Sequence, residues 1–281
     1  MDRLERMLSD KGFSQQIIFN KDCVPFMSEN LPSGCVDVVL TSPPYNTNKK
    51  SGNGLAGQKS FPYVRYDMPM DNMTSGEYIT WTMRVFEGFD RVLKKDGVVL
   101  YNLSYGNENT DQVFLLLAEI IKRTNFTIVD TICWKKKNAM PNNVSKNRLT
   151  RIWEFVFVLC RKKETKTFHT NKAVTSVRKN GQKMYESIEN IVFAKNNDGV
   201  CHLNRATYST DLCEQLLAIY APAESVVFDP FCGTGTTANA CKKMGLSFVG
   251  TEISQAQCQY AAERVGGAMY AETIYKPESV S

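Results

Sequence analysis

The sequence predicts an α/β fold, a sheet whose strands alternate with helices, and three observations predict it. Short apolar runs alternate with longer stretches whose apolar residues recur at helical spacing. A glycine-rich turn, Asp229-Pro230-Phe231-Cys232-Gly233-Thr234-Gly235-Thr236-Thr237, joins one apolar run directly to a helix. The chain has 281 residues, 43% hydrophobic and 22% charged, which suffices for one large domain with a buried core.

In order, residues 16–19 (QIIF) read as a short strand, Asn20-Lys21-Asp22-Cys23 follows at its carboxyl end, and a helix spans 25–30. A strand over 36–40 runs into Thr41-Ser42-Pro43-Pro44-Tyr45. The polar, glycine- and lysine-rich stretch 46–71 exceeds the usual loop length and reads as a lid. Tyr78, Trp81, Met83, Val85, Phe89, Val92 and Leu93 mark a helix over 75–93, which Asp96-Gly97 stops before a strand at 98–103. Helix 111–123 and strand 126–134 repeat that unit. Strand 152–160 reads as buried on both faces apart from Glu154. Between 161 and 198 no periodicity holds, and cations outnumber acids. Helix 211–220, strand 226–228, a helix ending near Met244-Gly245, strand 247–250 and helix 254–265 complete the chain.

The formal charge of +5 is modest but unevenly spread. Nine cysteines without a CxxC pair, and two histidines, point to reduced, mostly buried thiols in a cytoplasmic protein and to no metal site. The longest apolar run, 113–118, is too short for a bilayer, and the charged N-terminus is unlike a signal peptide.

Two motifs carry chemistry. Pro43 and Pro44 fix φ and lack N–H groups, so the carbonyls of Ser42 and Pro43 are held outward beside the Ser42 hydroxyl and the Tyr45 ring. An exocyclic amino group, two donors backed by a π face, fits such acceptors. The second motif is strand, DPFCGTGTT, helix, strand and then Glu252, an acid about twenty positions on, the arrangement by which a Rossmann-like sheet holds an adenosine ligand. Gly233 and Gly235 let the backbone approach closely. Asp229 would repel a pyrophosphate and attract an ammonium, which favours S-adenosylmethionine over a dinucleotide.

With SPPY and DPFCGTG both present, the chain resembles the exocyclic amino DNA methyltransferases, in the permuted subgroup whose catalytic motif precedes the cofactor motif. Lys21-Asp22-Cys23, Asp71-Asn72-Met73 through Tyr78, Met140-Pro141, Arg148-Leu149-Thr150 and Trp153-Glu154-Phe155 extend the likeness over almost the whole chain. The resemblance implies a seven-stranded, mostly parallel Rossmann-like sheet with helices on both faces and one antiparallel strand, in circularly permuted order, with a small basic target-recognition insertion. On that basis 1–160 form the catalytic part, 161–200 the recognition segment, 201–270 the S-adenosylmethionine-binding part and 271–281 a tail.

Carried over by position, the family pattern sets Asp229, Phe231, Gly233, Gly235 and Thr236 around the methionine and ribose, Glu252 on the ribose hydroxyls, and Asp22 and Cys23 near the adenine. The stretch 201–210 lacks the family's prolines; Thr207 and Tyr208 are the candidates for that wall of the cofactor site, and His202 reads equally as structural. Ser42, Pro43, Pro44 and Tyr45 are the catalytic set: Ser42 Oγ and the Pro43 carbonyl would accept the two N–H bonds, and Tyr45 would stack on a flipped base. Among relatives Asp or Asn at the Ser42 position goes with adenine N6 and Ser with cytosine N4, so cytosine is favoured and adenine is the alternative. Lys135, Lys136, Lys137, Lys146, Arg148, Arg151, Lys162 and Lys163 are candidate contacts to double-stranded DNA. The resemblance leaves open a cognate restriction endonuclease and a homodimer. Rival readings are an RNA or small-molecule methyltransferase, an inactive DNA-binding homologue, and a nicotinamide dehydrogenase, which would leave TSPPY without a role.

Overall fold

The computed structural model describes residues 3–9, 14–46, 73–105, 110–139, 141, 146–199, 203–204, 207–266 and 269–271. The proposed lid and His202 lie outside these residues, apart from Asn46 at the lid's start. Helix α1 (Arg3–Ser9) precedes β1 (Gln16–Phe19), α2 (Cys23–Glu29), β2 (Val36–Thr41), α3 (Ser75–Val92), β3 (Leu93–Leu103), α4 (Gln112–Arg123), β4 (Phe126–Lys136) and β5 (Trp153–Arg161). Then come β6 (Val174–Val177), β7 (Lys183–Tyr185), β8 (Ile191–Ala194), α5 (Thr210–Tyr220), β9 (Val226–Asp229), α6 (Thr236–Met244), β10 (Ser247–Thr251), α7 (Gln255–Val265) and β11 (Met269–Ala271).

The main sheet runs β11-β1-β10-β9-β2-β3-β5-β4-β8. The seven strands expected from the sequence form its unbroken centre, and β5 is antiparallel to both its neighbours, as expected. Two short strands enlarge it to nine: β8 pairs parallel with β4, and β11 with β1. Three or four residues are too few for a periodicity to show in sequence. Buried residues of α1 to α4 pack on one face and those of α5 to α7 on the other, so two apolar layers sandwich the strands.

Local chemistry explains most boundaries. Thr74 and Glu77 form a reciprocal capping box at the start of α3. Ser209 and Ser254 cap α5 and α7, and Gly245 in the left-handed region closes α6. The expected helix stop at Asp96-Gly97 is instead a bulge inside β3. The helix ends at Val92, and the pairing with β2 shifts register between Val36 opposite Leu93 and Val38 opposite Val98. Asp96 takes φ 63, and a Cβ on Gly97 would sit 2.7 Å from the Asp37 carbonyl oxygen, so the bulge needs a glycine there.

The stretch 161–200 departs from a free-standing insertion. Arg161 is fastened to Asp90, to the carbonyls of Leu93 and Lys94 and to Glu164, all at the amino ends of the parallel strands. Asn171 bonds the carbonyls of Ala218, Ile219 and Ala221 at the end of α5. Only the exposed hairpin β6–β7 forms its own sheet, and β8 then rejoins the main one. Strand β5 starts one residue later and is less enclosed than expected: Trp153 is 40% exposed, and Ile152 just before it 36%, because β5 begins where the sheet meets solvent at its carboxyl edge.

Candidate active site

Two loops leave neighbouring strands at the same edge. Strand β2 pairs parallel with β9, Val39 opposite Phe228, so the Ser42 loop and the Phe231 loop emerge side by side. Thr41 Oγ1 donates to Asp229 Oδ1 at 2.7 Å and locks the two strand ends together. A second link passes through α3: Tyr78 donates its hydroxyl to the Pro44 carbonyl at 2.6 Å, Trp81 packs on Tyr78 at 5.9 Å, and Phe231 packs on Trp81 at 5.4 Å. The sequence marked Trp81 only as an apolar-face residue of a helix, and Tyr78 as that and as part of the family likeness, without the role either plays here; the aromatic pair at consecutive turns was their signal.

In the first loop Pro43 is buried, and Ser42, Pro44 and Tyr45 are half-buried. The Pro44 carbonyl is taken by Tyr78, while the Pro43 carbonyl meets no donor among the described residues. Ser42 Oγ lies 2.9 Å from the Tyr45 hydroxyl, which donates to Asn102 Oδ1 at 2.8 Å and lies 3.4 Å from Glu154 Oε2. Burial pushes the Tyr45 phenol well above its ordinary value, and the Glu154 carboxylate adds to it. Asn46, at φ 50, ends the loop and donates to the Met73 carbonyl at 2.9 Å, tying it to the entry of α3. Asn102 was missed from sequence, where an amide inside the apolar run VVLYNL was the available signal.

The glycine turn has the form of a ligand cradle. Gly233 and Gly235 take φ 50 and 78, and a Cβ on Gly235 would fall 2.8 Å from that of Ala261. Glu252 is buried; it accepts from Gly233 N at 3.1 Å and Ser254 N at 2.9 Å, and burial raises its carboxyl. Asn20 Nδ2 donates to the Glu252 carbonyl at 2.9 Å, which brings the end of β1, with Asp22 and Cys23, against the end of β10. Asp22 caps α2 through Val24 N at 2.8 Å, and Cys23 is buried with its thiol raised mainly by that burial. Thr234 Oγ1, Trp81 Nε1 and the Tyr101 hydroxyl are buried without a partner among the described residues. Of these, Thr234 Oγ1 in the turn and Trp81 Nε1 on the ring that packs against Phe231, beside an acid with unused lone pairs, fit a polar ligand carrying hydroxyls and a flat ring.

Asp229 differs from its expected role. It is 1% exposed and takes donors from Thr41, Phe231 N at 3.1 Å, Tyr208 at 3.0 Å and Thr237 at 2.6 Å. It is therefore the anchor of the loop, not an open partner for an ammonium. Burial raises its carboxyl, and these hydrogen bonds oppose that shift. Tyr208 serves the same network, and Thr207 precedes it, half-buried. Thr236 accepts from Arg264 at 3.1 Å, and the same guanidinium nitrogen donates to the Thr234 carbonyl in the turn at 3.1 Å.

The expected basic residues fall into four groups. Lys135 and Lys137 stand at the carboxyl edge, half-buried and exposed, with Lys137 3.5 Å from Asp211. Lys136 turns inward: it pairs with Glu154 at 2.5 Å, both side chains 15% exposed, and sits 4.8 Å over the Trp134 ring, so it is corrected from a DNA contact to a site residue. Lys146 and Arg148 are exposed before β5, and Arg151 is exposed with its guanidinium 5.1 Å over the Tyr105 ring. Lys162 and Lys163 sit at the amino edge, Lys162 bonding the Thr124 carbonyl at 2.7 Å; the antiparallel run of β5 carries them away from the Ser42 loop.

Comparison with known proteins agrees with this architecture. The type II methyltransferase M.Cfr9I of Citrobacter freundii is 24% identical over 89% of this chain and 87% of its own. Two solved structures share the fold: the PvuII DNA methyltransferase, cytosine-N4-specific, with TM-score 0.61, 16% identity and coverage of 92% of this chain and 95% of its own; and M1.HpyAVI in complex with SAM, with TM-score 0.59, 20% identity and coverage of 89% and 98%. Residues 36–263, which hold both loops and everything between them, match the N6/N4 DNA methylase family, and the chain belongs to that family.

Proposed function

We propose that this DNA methylase transfers a methyl group from S-adenosylmethionine to the N4 amino group of a flipped cytosine in duplex DNA. The observation that carries the reading is the adjacency of an acceptor loop and a glycine cradle on neighbouring strands, fastened by Thr41 and Asp229. Bound S-adenosylmethionine would supply an electrophilic methyl on a sulfonium. The Gly233 to Gly235 backbone with Phe231 would take its methionine and ribose, Glu252 the ribose hydroxyls, and the Asp22–Cys23 region its adenine.

An exocyclic nitrogen is a poor nucleophile because its lone pair is delocalised into the ring. Ser42 Oγ and the Pro43 carbonyl would accept its two N–H bonds out of the ring plane, which returns the lone pair to nitrogen and aims it at the cradle. Half-buried Tyr45 would support the base face, with the unstacking of the base costing roughly a few kcal/mol. Lys135, Lys137, Lys146, Arg148 and Arg151 surround this edge and would contact the backbone of the duplex. A neutral hydroxyl at Ser42, in place of an acid or amide, supports cytosine.

Digesting DNA modified by the enzyme to nucleosides and separating them tests the reading. N4-methylcytosine is the expected product. N6-methyladenine alone would replace cytosine with adenine, and methylated RNA with unmodified duplex would remove DNA as the substrate.

A further inference from the structure

Ser42 can serve as an acceptor only if its own proton is committed elsewhere, and the side chains beneath it decide that. Asn102 Nδ2 donates to the Phe155 carbonyl at 2.9 Å. That bond fixes the amide, because the flipped orientation would set oxygen against oxygen. Asn102 Oδ1 must then face the Tyr45 hydroxyl at 2.8 Å, and it can only accept. Tyr45 has one proton. Asn102 at 2.8 Å claims it over Glu154 at 3.4 Å, where the carboxylate is already held by Lys136 through its other oxygen. With that proton spent, the Tyr45 oxygen accepts, and the only donor for its 2.9 Å contact with Ser42 is the Ser42 hydroxyl.

We infer that Asn102 is a positioning residue that sets the direction of this hydrogen-bond chain, Ser42 to Tyr45 to Asn102, and so turns the Ser42 lone pairs outward as acceptors. The chain is anchored on a backbone carbonyl of β5 and therefore cannot reverse while the sheet is intact. Glu154 and Lys136 close its underside as a neutral pair: Asn102 Nδ2 lies 3.4 Å from Glu154 Oε2, reinforcing the same amide orientation. Without Asn102 the Tyr45 proton loses its 2.8 Å acceptor, and only the longer 3.4 Å contact with Glu154 holds it away from Ser42, so the Ser42 hydroxyl is no longer firmly committed to Tyr45 and can point its own proton at the incoming N–H. The inference rests on the reading of Ser42 as acceptor for the amino group and holds for either base.

A double-mutant cycle separates this role from a structural one. In single-turnover methyl transfer to duplex DNA, Asn102→Ala should lower the rate about 10- to 100-fold, with the affinity for DNA changed less than about twofold. In a Ser42→Ala background the same substitution should cost less than about threefold, since there is no hydroxyl left to orient. An equal loss in both backgrounds overturns the inference. Tyr45→Phe, which breaks the same chain while keeping the ring, repeats the cycle if Asn102→Ala does not fold. A readout without DNA is the Tyr45 hydroxyl proton in NMR: it should exchange slowly in the intact protein and rapidly in Asn102→Ala. A hydroxyl proton indifferent to Asn102 overturns the chain, whereas loss of all methyl transfer to DNA by the unaltered protein would count against the functional reading instead.

Discussion

Thr41 Oγ1 donates to Asp229 Oδ1 at 2.7 Å across 188 residues of sequence, and this bond joins the strand that carries the acceptor loop to the strand that carries the cradle. Both groups are buried, so the bond has no water to replace it. Thr41→Val keeps the shape and removes the donor. It should lower stability by about 1–3 kcal/mol in denaturant titration, the cost of leaving a buried carboxylate oxygen short of a partner. Affinity for S-adenosylmethionine, measured by calorimetry, should fall with it.

Asp229 also gives a pH signature. Its folded-state value is raised by burial, so the stability it contributes is present below the ordinary carboxylate value of 3.8 and declines as pH rises through the raised folded value. Asp229→Asn removes this decline. Melting temperatures taken from about pH 4 to 7 should therefore move in favour of the variant with rising pH relative to the unaltered protein. A parallel pair of profiles would mean that the carboxylate is not raised.

Gly235 has no room for a side chain. Its φ of 78 and the 2.8 Å approach of a Cβ to Ala261 strain any substitution. Gly235→Ala should cost roughly 1–3 kcal/mol of stability and shift the turn that leads into α6. Gly181, at φ 82 in the exposed hairpin, meets nothing within 4 Å, so Gly181→Asn carries only the backbone strain and should cost clearly less than Gly235→Ala in the same denaturation experiment.

Cations at the two edges of the sheet separate by salt dependence. Neutralising Lys137 and Arg148 should weaken duplex binding and reduce the slope of log affinity against log salt by about 0.9 for each phosphate that no longer meets a cation. Neutralising Lys162 and Lys163, at the opposite edge of the sheet, should leave affinity and slope unchanged. Arg161→Ala should instead destabilise the fold by roughly 2–4 kcal/mol, because Asp90, Glu164 and three backbone carbonyls lose one shared partner.

By itself the sequence determined the seven central strands, most helix ends and both loops, because these depend on local chemistry: apolar periodicity, capping side chains, paired prolines and glycines that alone accept positive φ. It also marked Ser42, Gly233, Gly235 and Glu252 through motif spacing. Only the tertiary structure decided what faces what. That Asp229 is saturated by Thr41, Thr237 and Tyr208, that Lys136 turns from solvent to Glu154, and that Lys162 lies at the far edge all follow from strand order and the antiparallel run of β5. Asn102 shows the reason most plainly. An amide has two faces of opposite polarity, and nothing local says which way it points; the Phe155 carbonyl, brought beside it by strand pairing, does.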